Sequence, residues 1–138
     1  MKGSKVILDT NIWVSFFIMA RLPELKTLIV DNELTVFTCH ELIDELRDVL
    51  KRDKLKKYLH ETEETYTDIH FDLTEFFTIE PRFEGSPDPK DNYLFDLALQ
   101  HEAHYLVTGD KKLLAMESVD DVQIISLRTF EDLMSDIM

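Results

Sequence analysis

The 138-residue chain has a single cysteine, Cys39. One cysteine excludes an internal disulfide framework and fits a reducing compartment, the cytoplasm. It is a poor choice for a catalytic thiol, because free cysteines commonly serve as buried packing residues. Long apolar runs are missing too. The longest near the start, Ile12 to Ala20, is interrupted by Ser15 and is too short to span a bilayer. Met1-Lys2-Gly3-Ser4-Lys5 carries no apolar signal region, so no membrane partner is expected. Positive charge is scarce: 15 Lys and Arg stand against 28 Asp and Glu, for a net charge of −13. A general nucleic-acid binder is more often basic. No His/Cys cluster has metal-ligand spacing. His101 and His104 lack a third ligand and read as surface residues. Repeats and low-complexity segments are absent, and the length fits one domain over residues 1–138.

What charge there is falls in blocks. Six of the 15 bases lie between Arg47 and Lys57, and seven acids follow between Glu61 and Glu80. Solvated helix surface accounts for both blocks.

The chain opens on Lys5-Val6-Ile7-Leu8-Asp9-Thr10-Asn11. Three apolar residues are too few for a helix core and read as a buried strand. Asp9, Thr10 and Asn11 can bond the backbone and start a helix. A helix over Ile12–Ile18 is apolar nearly all round. Trp13, Phe16 and Phe17 are read as core, with a homodimer interface as the alternative. A second helix is expected over Leu22–Asp31, with Pro23 in its first turn, and a strand over Leu34–Thr38.

His40–Leu50 has helical periodicity, with Leu42, Leu46, Val49 and Leu50 on one face. Glu45 falls among them, and a carboxylate on a packing face needs a partner. Lys51–Tyr58 reads as a basic connector. Periodic Tyr66, Ile69, Leu73, Phe76 and Phe77 suggest a helix from Glu61 to Phe77, then a short strand to Ile79. Arg82–Pro87 is an exposed loop.

Asp88 suits a helix N-cap, Pro89 the first position and Asp91 the third, as in a capping box. Asp91 shares a face with Leu94, Phe95 and Ala98, whereas Asp96 lies about 140° round the wheel and is expected to be peripheral. His104–Val107 is another strand, ended by Thr108-Gly109-Asp110; Gly109 suits a close backbone approach or a positive φ. Val122–Ser126 is the last strand. Thr129 and Asp132 frame a closing helix that buries Phe130, Leu133, Met134 and Ile137.

This alternation predicts a parallel α/β sheet, whose ligand crevice lies beyond the strand carboxyl ends. Asp9 and Asp110 end strands, and Glu45 and Asp91 sit on inward helix faces. Four such carboxylates repel one another, and a divalent cation relieves the repulsion. All-oxygen donors favour Mg²⁺ or Mn²⁺.

Leu8-Asp9-Thr10-Asn11, Glu45-Leu46, Asp88-Pro89-Lys90-Asp91-Asn92 and Val107-Thr108-Gly109-Asp110-Lys111-Lys112-Leu113-Leu114 occur in an order and spacing that is specific as a set. With them the chain resembles the PIN-domain family of metal-dependent nucleases, end to end. The resemblance is closest to the bacterial and archaeal branch of toxin components of toxin–antitoxin pairs. It implies a five-stranded, mostly parallel sheet between two helical layers. It also implies an acidic site of Asp9, Glu45, Asp91 and Asp110, supported by Asn11 and Thr108; Asp88 and Asp96 match less sharply. The implied chemistry is Mg²⁺- or Mn²⁺-dependent hydrolysis of RNA, with an antitoxin as a further partner. Arg47, Lys51, Arg52, Lys90, Lys111 and Lys112 would then follow the RNA backbone. The competing readings are a non-catalytic PIN-like protein-binding module and a phosphoacceptor receiver domain. A receiver needs an acid after its third strand and a lysine after its fifth, and this sequence offers neither.

Overall fold

The computed structural model describes residues 3–135 of the chain. Ile137, expected on the last apolar face, lies outside them. Six strands form one sheet in the order β3-β2-β1-β4-β6-β5. These are β1 (Lys5–Leu8), β2 (Thr35–Thr38), β3 (Glu75–Phe76), β4 (Tyr105–Val107), β5 (Ser118–Val119) and β6 (Val122–Ile125). All neighbours are parallel except the edge pair β5 and β6. Helices flank the sheet: α1 (Thr10–Ile18), α2 (Leu22–Asp31), α3 (His40–Leu50), α4 (Asp53–Lys56), α5 (Glu63–Leu73), α6 (Asn92–Gln100), α7 (Lys111–Leu114) and α8 (Leu127–Ser135). None of the described helices is long and apolar enough to cross a membrane.

The sixth strand corrects the expected five. Ser118 pairs with Gln123 and Val119 with Val122, so Asp120-Asp121 forms a two-residue hairpin turn, with Asp120 at φ 50°. A two-residue strand on a charged stretch leaves no periodicity to read.

β3 also differs from expectation. α5 stops at Leu73, because Thr74 turns extended and its hydroxyl bonds back to the His70 carbonyl at 2.7 Å. Phe76 and Phe77 are therefore not helical. The strand forms at Glu75–Phe76, ahead of the expected Phe77–Ile79, and pairs with Phe37 and Thr38. The last helix is held at its start by Ser126, whose Oγ accepts the Thr129 N–H at 3.1 Å, rather than by Thr129 and Asp132. Leu133 on it is exposed, whereas Phe130 and Met134 are buried.

The chain lays β1, β2 and β3 outward in one direction. It then returns to set β4 on the other side of β1 and β6 beyond it. Strand order thus reverses between β1 and β4, and a crevice opens there at the strand carboxyl ends. Beneath it, Val6, Ile7, Leu8, Leu106 and Val107 are fully buried. Trp13, Phe16 and Phe17 of α1 belong to this core, so they are not an exposed dimer surface. Cys39 is buried with them; burial pushes its thiol up to about 12, which leaves it protonated and inert.

One titratable group sits inside the core. His70 is fully buried, edge-on to Trp13 at 4.3 Å between ring centroids, with Nε2 2.7 Å from Thr38 Oγ1. Burial lowers its pKa from 6.5 to about 4. In that window the unfolded chain holds a proton that the folded chain does not. Stability from this group is therefore complete above pH 6.5 and falls as pH drops toward 4. The expected loss is about 3 kcal/mol, at about 1.4 kcal/mol per pKa unit. Urea titrations at stepped pH will show the loss. An imidazole NMR titration of His70 with a midpoint near its ordinary value would contradict the assignment.

Candidate active site

Asp9 leaves β1 at the crevice, and its backbone N–H donates to the Val107 carbonyl on β4 at 2.9 Å. Its carboxylate is 5% exposed. Oδ1 accepts the Thr10 N–H at 2.7 Å, so Asp9 does cap α1. Oδ2 accepts the Thr108 hydroxyl at 2.8 Å and the Asn11 amide at 3.4 Å. Burial raises the Asp9 pKa, the Thr108 and Thr10 bonds oppose that shift, and Glu45 and Asp110 add to it by repulsion. The acid is thus held in place yet left short of positive charge.

Thr108 ties two acids together. Its Oγ1 donates to Asp9 and accepts the Asp110 N–H at 3.1 Å. Asp110 caps the short α7, with Oδ1 accepting the Lys112 N–H at 2.8 Å. Asn11 bridges as well: its Oδ1 accepts the Gly109 N–H at 3.1 Å. Gly109 has no positive φ, and an added Cβ would meet the Asn11 side chain at an ordinary 3.6 Å. Its role is to present its N–H to Asn11, which corrects the positive-φ reading.

Glu45 projects from the packing face of α3 and is half-buried. Two hydroxyls answer it on the same oxygen: Thr10 Oγ1 at 3.0 Å and the Tyr93 phenol at 2.5 Å. Oε1 is left without a hydrogen bond among the described residues. Burial and the Glu45 charge push the Tyr93 pKa well up, so the phenol keeps its proton and donates. Sequence reasoning missed Tyr93. The one signal was that Glu45 needed a donor, and the two that serve it come from 35 and 48 residues away.

Asp91 fills the third position of a helical turn capped by Asp88, as expected, but that turn is 3₁₀ and is not the first turn of α6. It spans Pro89–Asp91, and Asp88 Oδ1 accepts the Lys90 N–H at 3.0 Å. α6 begins only at Asn92, with Asp91 at its N-cap position and no side-chain capping bond. Its carboxylate is therefore free to face the crevice. Burial raises its pKa to about 6, with further repulsion from Asp9, Glu45, Asp88 and Asp110.

Asp9, Asn11, Glu45, Asp88, Asp91 and Asp110 thus line one groove, along with Thr10, Val14, Val49 and Arg52. Asp96 does not join them. It is 4% exposed rather than peripheral. Its Oδ1 accepts the N–H groups of Arg82 and Phe83 at 3.1 and 2.9 Å, and the Gln100 amide at 3.2 Å. It anchors the loop that leads to Asp88. Among the expected RNA-facing bases, Arg47 and Lys51 both lie 3.5 Å from Glu63, on α5. Lys90 lines a neighbouring groove with Tyr93, and Lys111 and Lys112 are exposed beside Asp110.

The donor set fits a hard divalent cation. It is all oxygen, several lone pairs are open, and burial, with mutual repulsion added, already raises Asp9 and Asp91. Among the described residues, no group of three or more His, Cys, Asp or Glu side chains is placed to hold an ion as it stands. Closure around one requires side-chain rotation, for which Asp91, without a capping bond, is the least restrained.

A family model for the PIN domain matches residues 5–112. That span is most of the chain, and the chain belongs to the PIN-domain family, a family of nucleases. Two solved structures share the fold. VapBC2 from Rickettsia felis, bound to a DNA fragment from their promoter, is 16% identical with a TM-score of 0.57, covering 88% of this chain and 98% of that one. PAE2754 from Pyrobaculum aerophilum is 14% identical with a TM-score of 0.62, covering 96% and 90%. At these identities the likeness is one of fold. No curated protein matches significantly.

Proposed function

We propose that the chain is a Mg²⁺- or Mn²⁺-dependent endoribonuclease, the toxin component of a cytoplasmic toxin–antitoxin pair. The observation that carries this is the gathering of Asp9, Glu45, Asp91 and Asp110, from four separate segments, on one groove at the strand-order reversal. Membership of a nuclease family supports phosphodiester hydrolysis. The Rickettsia VapBC2 structure supports a protein partner.

Asp9 and Asp91 are the direct ligands in this reading, and Glu45 and Asp110 complete the site. Bound there, the ion would supply positive charge that lowers the pKa of an attacking water and offsets charge on the phosphorane-like transition state. The chain's own residues prepare the place. Thr108 and Asn11 fix Oδ2 of Asp9, and Thr10 and Tyr93 fix one oxygen of Glu45. Lys90, Lys111 and Lys112 offer charge to the RNA backbone beyond the groove.

The purified protein is expected to cleave single-stranded RNA with Mn²⁺ or Mg²⁺ and to stop in EDTA. Asp91 adds a pH signature. Its folded pKa, about 6, lies above its ordinary 3.8, so between these values the folded state holds the extra proton. For the metal-free protein that contribution to stability is present below 3.8 and is lost as pH rises through 6. Metal affinity runs the opposite way, rising about tenfold per pH unit until Asp91 ionises and then levelling. Failure of the wild type to cleave a broad set of RNAs with either metal would favour a non-catalytic binding module.

A further inference from the structure

We propose that Arg52 is the phosphate anchor of the acidic groove, holding a phosphodiester next to the one that is cut; this rests on the nuclease reading above. Glu45, Val49 and Arg52 follow one another at i, i+4 and i+7, so they share one helical face. α3 ends at Leu50, but Lys51 keeps helical angles and the Arg52 N–H still bonds to the Val49 carbonyl at 3.1 Å. Helical geometry thus runs through Lys51, the backbone turns extended at Arg52, two residues past the helix, and Arg52 lines the same groove as Glu45.

Of the other bases of the segment, Lys54 and Lys57 lack an ion pair among the described residues but do not line the groove, and the remaining bases are paired. Arg47 and Lys51 are committed to Glu63, and Lys56 to Asp53 at 3.3 Å. Arg52 shares a groove wall with five carboxylates, yet none of them, nor any other acid of the described residues, lies within ion-pair distance of it. Among the described residues it is the one base on that wall. A polyanion that enters this groove meets five negative side chains and a net charge of −13. Some positive group must offset that repulsion apart from the ion, and the free guanidinium is placed to do so. Its planar fork matches two phosphate oxygens at once, which an ammonium does not.

The test is single-turnover cleavage of a 5′-labelled single-stranded RNA by the full chain in Mn²⁺, over a range of protein and KCl concentrations. Arg52→Gln is expected to raise the half-saturating protein concentration about tenfold, with a much smaller change in the saturated rate. The slope of log affinity against log salt should become shallower by about 0.7, the value of one single-strand phosphate contact. Arg52→Lys should restore the slope but only part of the affinity. Lys54→Gln, which removes an exposed charge of α4 outside the groove, should change neither. Wild-type half-saturation and slope in Arg52→Gln would overturn the anchor while leaving the nuclease reading intact. Equal effects from Lys54→Gln would reduce it to bulk charge and overturn it too. A wild type that cleaves no RNA would remove both readings together.

Discussion

Asp9→Asn is expected to lower RNA cleavage by more than about a hundredfold while leaving the fold at least as stable. The two halves of that outcome come from the same contacts. Asparagine keeps an oxygen for the Thr10 N–H, now accepted at 2.7 Å. Its amide can donate to Thr108 Oγ1, whose second lone pair is open, since the first already takes the Asp110 N–H. The cap and the link to Thr108 therefore survive, while the long 3.4 Å bond from the Asn11 amide is lost, because it would face another donor. What disappears is a buried negative charge that Glu45 and Asp110 already oppose. In the metal-free state its loss is relief; in the metal-bound state proposed above it would be the loss of a ligand. Melting curves with and without Mn²⁺ will separate the two. At a metal concentration about a hundredfold above the dissociation constant, wild type should gain about 2.7 kcal/mol and the variant much less. An Asp9→Asn protein that cleaves at the wild-type rate would sink the proposed mechanism.

Asp96→Ala should do the reverse: lower stability by about 2–4 kcal/mol without changing the stabilisation by metal. The substitution strands the backbone N–H groups of Arg82 and Phe83 and removes one of the two acceptors of the Gln100 amide, which keeps the Glu80 carbonyl at 2.7 Å. Phe83, stacked on Phe95 at 4.6 Å, would lose the backbone bond that seats it. Asp96→Asn keeps an acceptor oxygen and should recover more than half of the loss. Urea unfolding with and without Mn²⁺ is the measurement. An Asp96→Ala protein that melts normally but no longer responds to metal would place this acid back in the site.

These two acids mark where sequence reasoning succeeded and where it stopped. Helical spacing set Asp91 facing inward and Asp96 away from it, and the two do part company in the structure. It read “away from Asp91” as “toward water”, however, because a helical wheel carries no knowledge of a loop folded over its other side. The loop over Arg82–Pro87 covers that side and supplies the donors. β1, α2 and α3 were legible because their apolar periods and end residues agree, down to the bounds Leu22–Asp31 and His40–Leu50. β5 and the early β3 are two-residue strands whose pairing partners, not their composition, make them strands. The grouping of acids on one groove followed from strand ends, helix faces and family resemblance together. Tyr93 escaped because a hydroxyl's partner is a matter of three dimensions.

The bond between Thr108 and Asp9 joins residues 99 positions apart. Asp9 leaves a ribosome well before Thr108 and Asp110 do. Until β4 docks beside β1, Asp9 lacks its neighbouring hydroxyl and the groove has only part of its acid set. Closing so long a loop is slow relative to forming helices such as α3. The groove is therefore completed late in the chain's own folding, and a nascent or partly folded chain has only scattered carboxylates to offer a nearby RNA.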